Sequence, residues 1–238
     1  MPLPRPVLLM TRPVAASQAF VADVHAALGR TTDHLISPLM QIVPLPMADN
    51  THHSGLVFTS AHGVQAARDA GVATDQTAWC VGVQTGQAAR KAGFHAIVAD
   101  GDASGLIDLI TRHMPTGPLL HLRGQHSVGD VADRLTAAGV PTISTVVYDQ
   151  RALPLSSAAK DLLGGTRPVV IPLFSPRTAT MLATQGPYLA PLNVIALSEQ
   201  VALGFGTKTR SGVYIVDAPQ RKAMIIAVVC ALDRPTIA

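Results

Sequence analysis

The chain is poor in aromatic and in charged residues, and both shortages restrict what it can bind. Among 238 residues the aromatic fraction is 4% and the charged fraction is 14%. So few rings argue against a platform on which nucleic-acid bases stack, and no run of lysine and arginine follows a phosphate backbone. The formal net charge of +3 is a mild excess of base, which by itself supports an acidic small ligand as easily as nucleic acid.

Cysteine, metal-ligand clusters and long apolar runs are equally scarce. The two cysteines, Cys80 and Cys230, lie in apolar surroundings, which predicts buried thiols rather than a disulfide. No cysteine or histidine cluster has the spacing of metal ligands. The longest apolar stretch, 223–232, is too short to cross a membrane. The first apolar run is interrupted at Arg12 and Pro13, so it predicts a buried strand rather than a signal peptide, and we expect a cytoplasmic protein.

Signature motifs of several enzyme classes are missing from the chain. It contains no P-loop, no glycine fingerprint for a dinucleotide and no HExxH zinc motif. No pair of carboxylates stands out for acid–base chemistry, and no order of Ser, His and Asp indicates a hydrolase. An enzyme with this sequence is expected to act by holding a reactive substrate in one shape rather than through strongly reactive groups.

An internal repeat is the main positive feature of the sequence. The segment VADVHAALG (21–29) returns as VADRLTAAG (131–139), and VFTSAHGVQAA (57–67) is similar to VIPLFSPRTAT (170–180). Such a repeat predicts two similar lobes with one site shared between them. Helix-length segments separate most of the short apolar runs, which indicates an α/β protein with parallel sheets. Strands are predicted at 6–11, 34–37, 55–59, 78–82, 95–99, 118–122, 142–147, 168–174, 193–197 and 212–216.

The repeat also suggests how the lobes are divided. Each half contains a Pro-bounded extended segment: SPLMQIVPLP (37–46) precedes the FTS turn, and TVVYDQRALP (145–154) precedes the FSP turn. If these segments cross as a linker, lobe one consists of 1–37 plus 154–238, lobe two of 47–144, and the linker strands of 38–46 and 145–153. A sequential split near residue 115 is the alternative.

Several predicted helix starts carry no acidic residue in their first turn. These starts follow Arg12, Ser60, Gly82, Arg123 and Ser175. The amino end of a helix presents unpaired N–H groups and a partial positive charge, so an end without its own acid can receive an anionic ligand. Ordinary capping by Ser60 and Ser175, completed by water, is the alternative.

Three arginines and one tyrosine are the side chains best placed for chemistry. Arg12, Arg123 and Arg177 are each predicted just past a strand, where a guanidinium can bind carboxylates or phosphates. Surface ion pairs are the alternative role for each arginine. Tyr148 lies in the second Pro-bounded segment, where its hydroxyl could assist a leaving group. A half-buried strand aromatic is the alternative for this tyrosine.

Taken together, these motifs resemble the uroporphyrinogen-III synthase family. The motifs occur in the family's order and span nearly the whole chain, although each is short. They are TRP (11–13), FTSAHGV (58–64), VGVQT (81–85), LRG (122–124), VVYDQ (146–150), FSPRTA (174–179) and ALSEQVA (196–202).

The resemblance implies a fold, a reaction and a set of partners. The fold would be two flavodoxin-like α/β lobes joined by a two-stranded linker, with the active site in the cleft. The reaction would be cyclisation of hydroxymethylbilane, a linear tetrapyrrole with carboxylates on every ring, with inversion of ring D and loss of water. The product would be uroporphyrinogen III, on the route to haem, cobalamin or chlorophyll. The resemblance implies no cofactor and no metal. It implies a monomer, which could receive its substrate from hydroxymethylbilane synthase.

The resemblance also implies roles for individual residues. Tyr148 matches the tyrosine proposed to assist departure of the hydroxyl. Ser60, Thr85 and Ser175 match polar positions that line the cleft and bind substrate.

One helix start departs from the family pattern. At 198–201 the sequence reads SEQV, so Glu199 places an acid where an anion would otherwise bind. Either the ligand contacts the backbone of other turns there, or Ser198 alone contributes. The alternative function for the whole chain is a non-catalytic two-lobed sensor that binds a small acid. Such a sensor would release its ligand unchanged.

Overall fold

The computed structural model describes residues 4–47, 52–127, 129–206 and 212–233. Strands and helices alternate along most of this part of the chain, as the spacing of the apolar runs predicts. The order is β1 (Val7–Met10), α1 (Val14–Leu28), β2 (His34–Ile36), β3 (Met40–Pro44), β4 (Gly55–Phe58), α2 (Ala61–Asp69), β5 (Thr77–Val81), α3 (Gly82–Lys91), β6 (His95–Ala99), α4 (Ala103–His113), β7 (Leu119–Gly124), α5 (Val131–Ala137), β8 (Thr142–Ala152), α6 (Ser157–Gly164), β9 (Val169–Leu173), α7 (Pro176–Ala183), β10 (Leu192–Ala196), α8 (Glu199–Phe205), β11 (Val213–Ile215) and α9 (Arg221–Asp233).

Contacts divide the chain into two compact units. Unit 1 consists of Met1–Gln41 and Ala152–Ala238, and unit 2 of Ile42–Arg151. The boundaries fall inside β3 and at the end of β8. The assignment of 38–46 and 145–153 to a separate linker stays a prediction.

A five-stranded parallel sheet forms the centre of unit 1, in the order β11-β10-β9-β1-β2. The middle strands β1 and β9 are buried along their whole length. They are almost continuously apolar, as expected for parallel strands covered on both faces. Helices α1 and α9 pack on one face around Phe20 and Met224, and α6, α7 and α8 pack on the other around Leu163, Leu182 and Phe205.

A six-stranded sheet forms the centre of unit 2, in the order β3-β8-β7-β4-β5-β6. The pairs from β8 to β6 are parallel. Helices α2 and α3 cover one face through Val64 and Ala89, whereas α4 and α5 cover the other through Ile110 and Leu135. The edge strand β3 is continued by a bond from the Leu45 amide to the Val147 carbonyl of β8 (2.9 Å).

The two sheets share one strand order, as the internal repeat predicts. When β1 is matched to β7, β2 to β8, β9 to β4, β10 to β5 and β11 to β6, the order is the same in both units. In unit 1 this is the flavodoxin-like order 2-1-3-4-5, and unit 2 reaches the same arrangement with its strands in a permuted order along the chain. The predicted fold class, two parallel sheets flanked by helices, is therefore confirmed. All ten predicted strands coincide with observed ones, and β3 lies in the segment predicted only as extended.

The two cysteines differ in their surroundings. Both are free thiols, and Cys80 is buried in unit 2, as predicted. Burial raises the pKa of the Cys80 thiol to about 12, so the group stays protonated. The expectation that Cys230 is buried is wrong, because this residue lies on an exposed side of α9. An apolar stretch in a helix that covers a sheet turns only some of its residues toward the core.

No helix within the described ranges is long and apolar enough to cross a membrane.

Glycines allow the closest helix-to-strand contacts in unit 2. A Cβ at Gly63 in α2 would lie 2.6 Å from the Leu122 carbonyl oxygen of β7. A Cβ at Gly86 in α3 would lie 2.3 Å from a methyl of Val98 in β6. A backbone oxygen held by a sheet cannot move away as a methyl can, so the contact at Gly63 tolerates only glycine.

The substitution Gly63→Ala should destabilise unit 2, because overpacking of this kind costs about 1–3 kcal/mol. The measurement is urea unfolding followed by fluorescence of the single tryptophan, Trp79, which is buried in unit 2. Gly164→Ala is the control, since an added methyl there meets nothing within 4 Å. An unchanged midpoint for Gly63→Ala would contradict the contact described.

Candidate functional site

Each sheet has a switch point, where two neighbouring strands send their following helices to opposite faces. In unit 1 the strands are β1 and β9, followed by α1 and α7. In unit 2 they are β7 and β4, followed by α5 and α2. Ligands of open parallel sheets bind in the crevice at such points, beyond the carboxyl ends of the strands. Most of the predicted site residues lie at these two edges.

At the switch point of unit 1, Arg12 follows β1 and Phe174 follows β9. The Arg12 guanidinium carbon lies 4.3 Å from the centre of the Phe174 ring. Burial, followed by the nearby charge of Arg221, lowers the pKa of Arg12. Helix α1 then begins without a side-chain cap and without an acid in its first turn. This start matches the open end predicted after Arg12.

Ser175 caps the second helix of this switch point, α7. Its hydroxyl accepts a bond from the Thr178 amide (3.2 Å) and bonds the Thr178 hydroxyl (2.8 Å). Pro176 occupies the first turn, where its missing N–H is not needed, and no acid is present there. Arg177 is half-buried in the same turn. The start of α7 therefore combines a satisfied cap with a nearby cation.

Ser198 caps α8, accepting a bond from the Val201 amide (3.4 Å). Glu199 lies in the first turn of α8, as predicted. A carboxylate at this position repels an anionic ligand, so this start is less suited to bind one than the starts of α1 and α7.

In unit 2, Ser60 and Tyr148 are connected through His62. The Ser60 hydroxyl caps α2 by accepting a bond from the His62 amide (3.2 Å). The His62 ring meets the Tyr148 ring edge to face, with centres 5.7 Å apart. The first turn of α2 has no acid. The sequence motif FTSAHGV therefore positions both its serine and its histidine at this edge.

Tyr148 lies in β8, where a bulge between Arg123 and Gly124 brings it opposite Gly124. Only 4% of its surface is exposed, and a Cβ at Gly124 would lie 2.6 Å from its ring. The Gln125 amide bonds the Tyr148 carbonyl (2.8 Å), which fixes the backbone. Among the described residues, none forms a hydrogen bond with its hydroxyl. The ring is tightly held, whereas the hydroxyl remains available.

Helix α3 begins at Gly82 without a side-chain cap or an acid in its first turn. Gly82 has a φ of +69°, which favours glycine at this junction. Thr85 is the fourth residue of α3 and is only 6% exposed. It belongs to the buried side of α3, with Gly86 and Ala89. Its predicted role in substrate binding stays a prediction.

Arg123 lies inside β7 rather than past its end, and its guanidinium is engaged locally. Nε donates to the Ser144 hydroxyl (2.7 Å) and Nη1 to the Gly124 carbonyl (2.9 Å). The expectation of an open helix end directly after Arg123 is wrong. The next helix, α5, begins only at Val131 and carries Asp133 in its first turn. After the bulge the chain continues through a loop. The Arg123 guanidinium donates to the carbonyls of Gly124 and Gln125 at the beginning of this loop.

A buried histidine lies beside this arginine. His121 in β7 is 2% exposed; its Nε2 lies 3.4 Å from the Thr59 hydroxyl, and its Nδ1 has no partner within the described part of the chain. Burial, followed by the charge of Arg123, lowers its pKa from the ordinary value of 6.5 to about 4. His121 is therefore neutral at physiological pH.

Three residues at these edges escaped the sequence reasoning: His62, His121 and Arg221. His62 belongs to the motif FTSAHGV, but its contact with Tyr148 depends on the pairing of strands that are distant in the chain. Arg221 opens α9 and approaches Phe20, with its guanidinium carbon 5.5 Å from the ring centre. Phe20 and Arg221 are about 200 residues apart in the sequence, so no local pattern predicts their contact. No group of residues suited to a metal is present within the described ranges.

The fold and the site define a class of protein. Two flavodoxin-like units carry acid-free helix starts, capping serines and arginines at the edges where ligands bind. This is an α/β protein with two parallel sheets, each carrying helix starts of the kind at which anions bind in proteins.

The comparisons with known proteins identify the family. A family model described as uroporphyrinogen-III synthase HemD matches residues 25–224. The fold is similar to that of uroporphyrinogen-III synthetase from Helicobacter pylori, with a TM-score of 0.68 and 16% identity over 95% of this chain and 99% of that one. It is also similar to a mutant uroporphyrinogen III synthase from Thermus thermophilus, with a TM-score of 0.53 and 18% identity over 95% and 98%. No curated protein matches the chain.

The chain belongs to the uroporphyrinogen-III synthase family, because the matched region covers most of its length. The predicted enzyme class, a cyclising lyase of tetrapyrrole biosynthesis, is confirmed. Hydroxymethylbilane is the substrate that this family implies. Nothing in the comparisons favours the sensor alternative.

The low pKa of His121 predicts a pH dependence of stability. The unfolded chain takes up a proton below pH 6.5, whereas the folded chain takes it up only near pH 4. The contribution of His121 to the free energy of unfolding is therefore complete above pH 6.5. It is lost between pH 6.5 and 4, by at most about 3 kcal/mol.

Unfolding of His121→Leu, followed at Trp79 across this range, should show a smaller loss than the unsubstituted protein. His95→Gln, at an exposed position, serves as the control and should retain the full loss. If the free energy of unfolding fell equally with pH in all three proteins, the result would contradict a buried, neutral His121.

Proposed function

We propose that this chain closes hydroxymethylbilane to uroporphyrinogen III by binding its carboxylates at the switch-point edges, with Tyr148 assisting loss of the hydroxyl. The observation that carries the proposal is the set of acid-free helix starts at α1, α2, α3 and α7. A flexible polycarboxylate needs many weak anion contacts, and unpaired N–H groups with a few guanidiniums supply them. The residues proposed to contribute are Arg12, Arg123, Arg177, Ser60, Thr85, Ser175 and Ser198.

The chemistry proposed needs control of geometry more than reactive groups. The pyrrole electrons of the bilane expel the hydroxyl, which leaves with a proton as water, and the methylene becomes electrophilic. Ring D then attacks through its substituted α-carbon, giving a spiro intermediate that fragments and recloses with the ring inverted. Without enzyme the bilane closes to the uninverted isomer. A bias of ~3 kcal/mol toward one closure gives a preference of about a hundredfold.

Tyr148 is proposed to donate its O–H to the departing hydroxyl. Its ring is fixed by Gly124 and His62 while no described group occupies its hydroxyl. Holding a weak acid in one place lowers the barrier, because the proton donor is already positioned beside the leaving group.

We further propose that the protein acts as a cytoplasmic monomer and receives its substrate from hydroxymethylbilane synthase. Both cysteines are free thiols, which fits a reducing compartment. A substrate that cyclises spontaneously favours direct transfer between consecutive enzymes.

The test of the function is turnover of freshly prepared hydroxymethylbilane, followed by oxidation and separation of the porphyrin isomers. We expect isomer III in large excess over the spontaneous background. Isomer I alone would overturn the proposal, and unchanged release of a bound acid would support the sensor instead.

Tyr148→Phe should lower kcat by about 10- to 100-fold, because it removes a single hydrogen bond to a developing charge. KM should change much less, since the ring and its packing are retained. Tyr214→Phe is the matched control, at an exposed position on β11. Activity equal to that of the control would remove Tyr148 from the mechanism.

A further inference from the structure

Four side chains form a row at the carboxyl edge of unit 1, in the order Arg12, Phe174, Phe20, Arg221. We refer to these four residues as the Arg–Phe row. Arg12 lies 4.3 Å from the Phe174 ring centre, and Arg221 lies 5.5 Å from that of Phe20. The two rings meet edge to face, with centres 5.1 Å apart and planes at 83°. Each end of the aromatic pair therefore carries a guanidinium.

Arg12 is half-buried without an acidic partner. No carboxylate within the described ranges forms an ion pair or hydrogen bond with it. Burying a charge is costly unless it is paired, and a contact with one aromatic face offsets only part of this cost. Burial and the charge of Arg221 accordingly lower the pKa of Arg12. An arrangement of this kind is stabilised when an anion binds.

Arg221 forms an ion pair, but this pair uses only one of its N–H donors. Its Nε donates to Oδ2 of Asp23 at 2.7 Å, which orients the side chain. A guanidinium has five N–H donors, and those on its two terminal nitrogens have no partner among the described residues. The row thus contains two cations against one carboxylate. The excess of positive charge remains even with the ion pair in place.

The residues next to Arg12 in the chain offer no group that could neutralise it. Helix α1 begins two residues later with no acid in its first turn and no side-chain cap. Thr11, directly before Arg12, is 1% exposed, and its hydroxyl has no partner within the described residues. Unpaired amide donors, an unpaired hydroxyl and two guanidiniums therefore share this edge.

We propose that the Arg–Phe row is a subsite for carboxylates of the tetrapyrrole, in which Arg221 acts as a substrate-binding residue together with Arg12. The two phenylalanines hold the guanidiniums in position. Asp23 orients Arg221 through Nε alone, so the terminal N–H groups stay available to a ligand. This inference rests on the proposed function and extends it to a residue at the start of α9.

The test compares Arg221→Gln with a matched control, Arg30→Gln. Both arginines lie in unit 1, both side chains are 36% exposed, and each forms one ion pair, with Asp23 and Asp233 respectively. The probe is uroporphyrinogen III, kept reduced, with binding measured by titration calorimetry at low and high salt. Arg12→Gln and Arg221→Lys complete the set.

We expect Arg12→Gln and Arg221→Gln each to raise Kd about tenfold at low salt, the usual effect of losing a hydrogen bond to a charged group. The loss should shrink at high salt, where charges are screened. Arg30→Gln should bind as the unsubstituted protein does. Arg221→Lys should recover only part of the affinity, because its single ammonium must serve both Asp23 and the ligand.

A Kd for Arg221→Gln within about twofold of the Arg30→Gln value would overturn the subsite, since a full charge-assisted bond is worth more than that. An absence of product binding by the unsubstituted protein would overturn it as well. Failure of the proposed function is recognised separately, as formation of isomer I alone in turnover. The binding comparison still decides the role of the Arg–Phe row in that case.

Discussion

The parallel arrangement of strands is the constraint on which the rest of the structure depends. A parallel strand must be followed by a crossover helix, so the amino ends of the helices gather at the carboxyl edge of the sheet. Their first N–H groups have no partner inside the helix. At α4 the chain satisfies this need itself, because Asp102 accepts bonds from the amides of Ser104 and Gly105. At α1, α2, α3 and α7 it does not use an acid, and the proposed binding of carboxylates rests on that difference.

The sequence predicted the fold well because periodicity and repetition are local signals. Apolar runs and the recurring VADxxxAxG segment were enough to give parallel sheets and two similar lobes. Ser60, Ser175 and Ser198 could be located as well, because a helix cap is decided within four residues. The prediction of a helix start directly after Arg123 is wrong, because a loop follows β7 and the next helix begins only at Val131. A bulge and the hydrogen bonds of Arg123 to nearby groups lie at the beginning of this loop. The spacing of residues in the sequence does not predict that the guanidinium of Arg123 will bond to a carbonyl of its own strand.

Contacts between distant segments explain what else sequence reasoning missed. His62 lies at the start of α2, after β4, and meets Tyr148 of β8 although β7 separates these two strands in the sheet. Arg221 is connected to Arg12 through the rings of Phe20 in α1 and Phe174 after β9. In both units a polar group is held by an aromatic neighbour rather than by an opposite charge alone. Aromatic contacts position a side chain without neutralising it, which suits groups that must meet a charged ligand.

The discontinuity of unit 1 has a consequence for how the chain is made. On the ribosome β1 emerges well before its central partner β9, which lies about 160 residues further along, at Val169–Leu173. All of unit 2 is synthesised in the interval, so it can fold while β1 and β2 still wait for the rest of their sheet. The segment VLLM of β1 is apolar and lacks its cover throughout this period. Slow synthesis of residues 152–200 therefore prolongs the time in which chaperones must shield that strand.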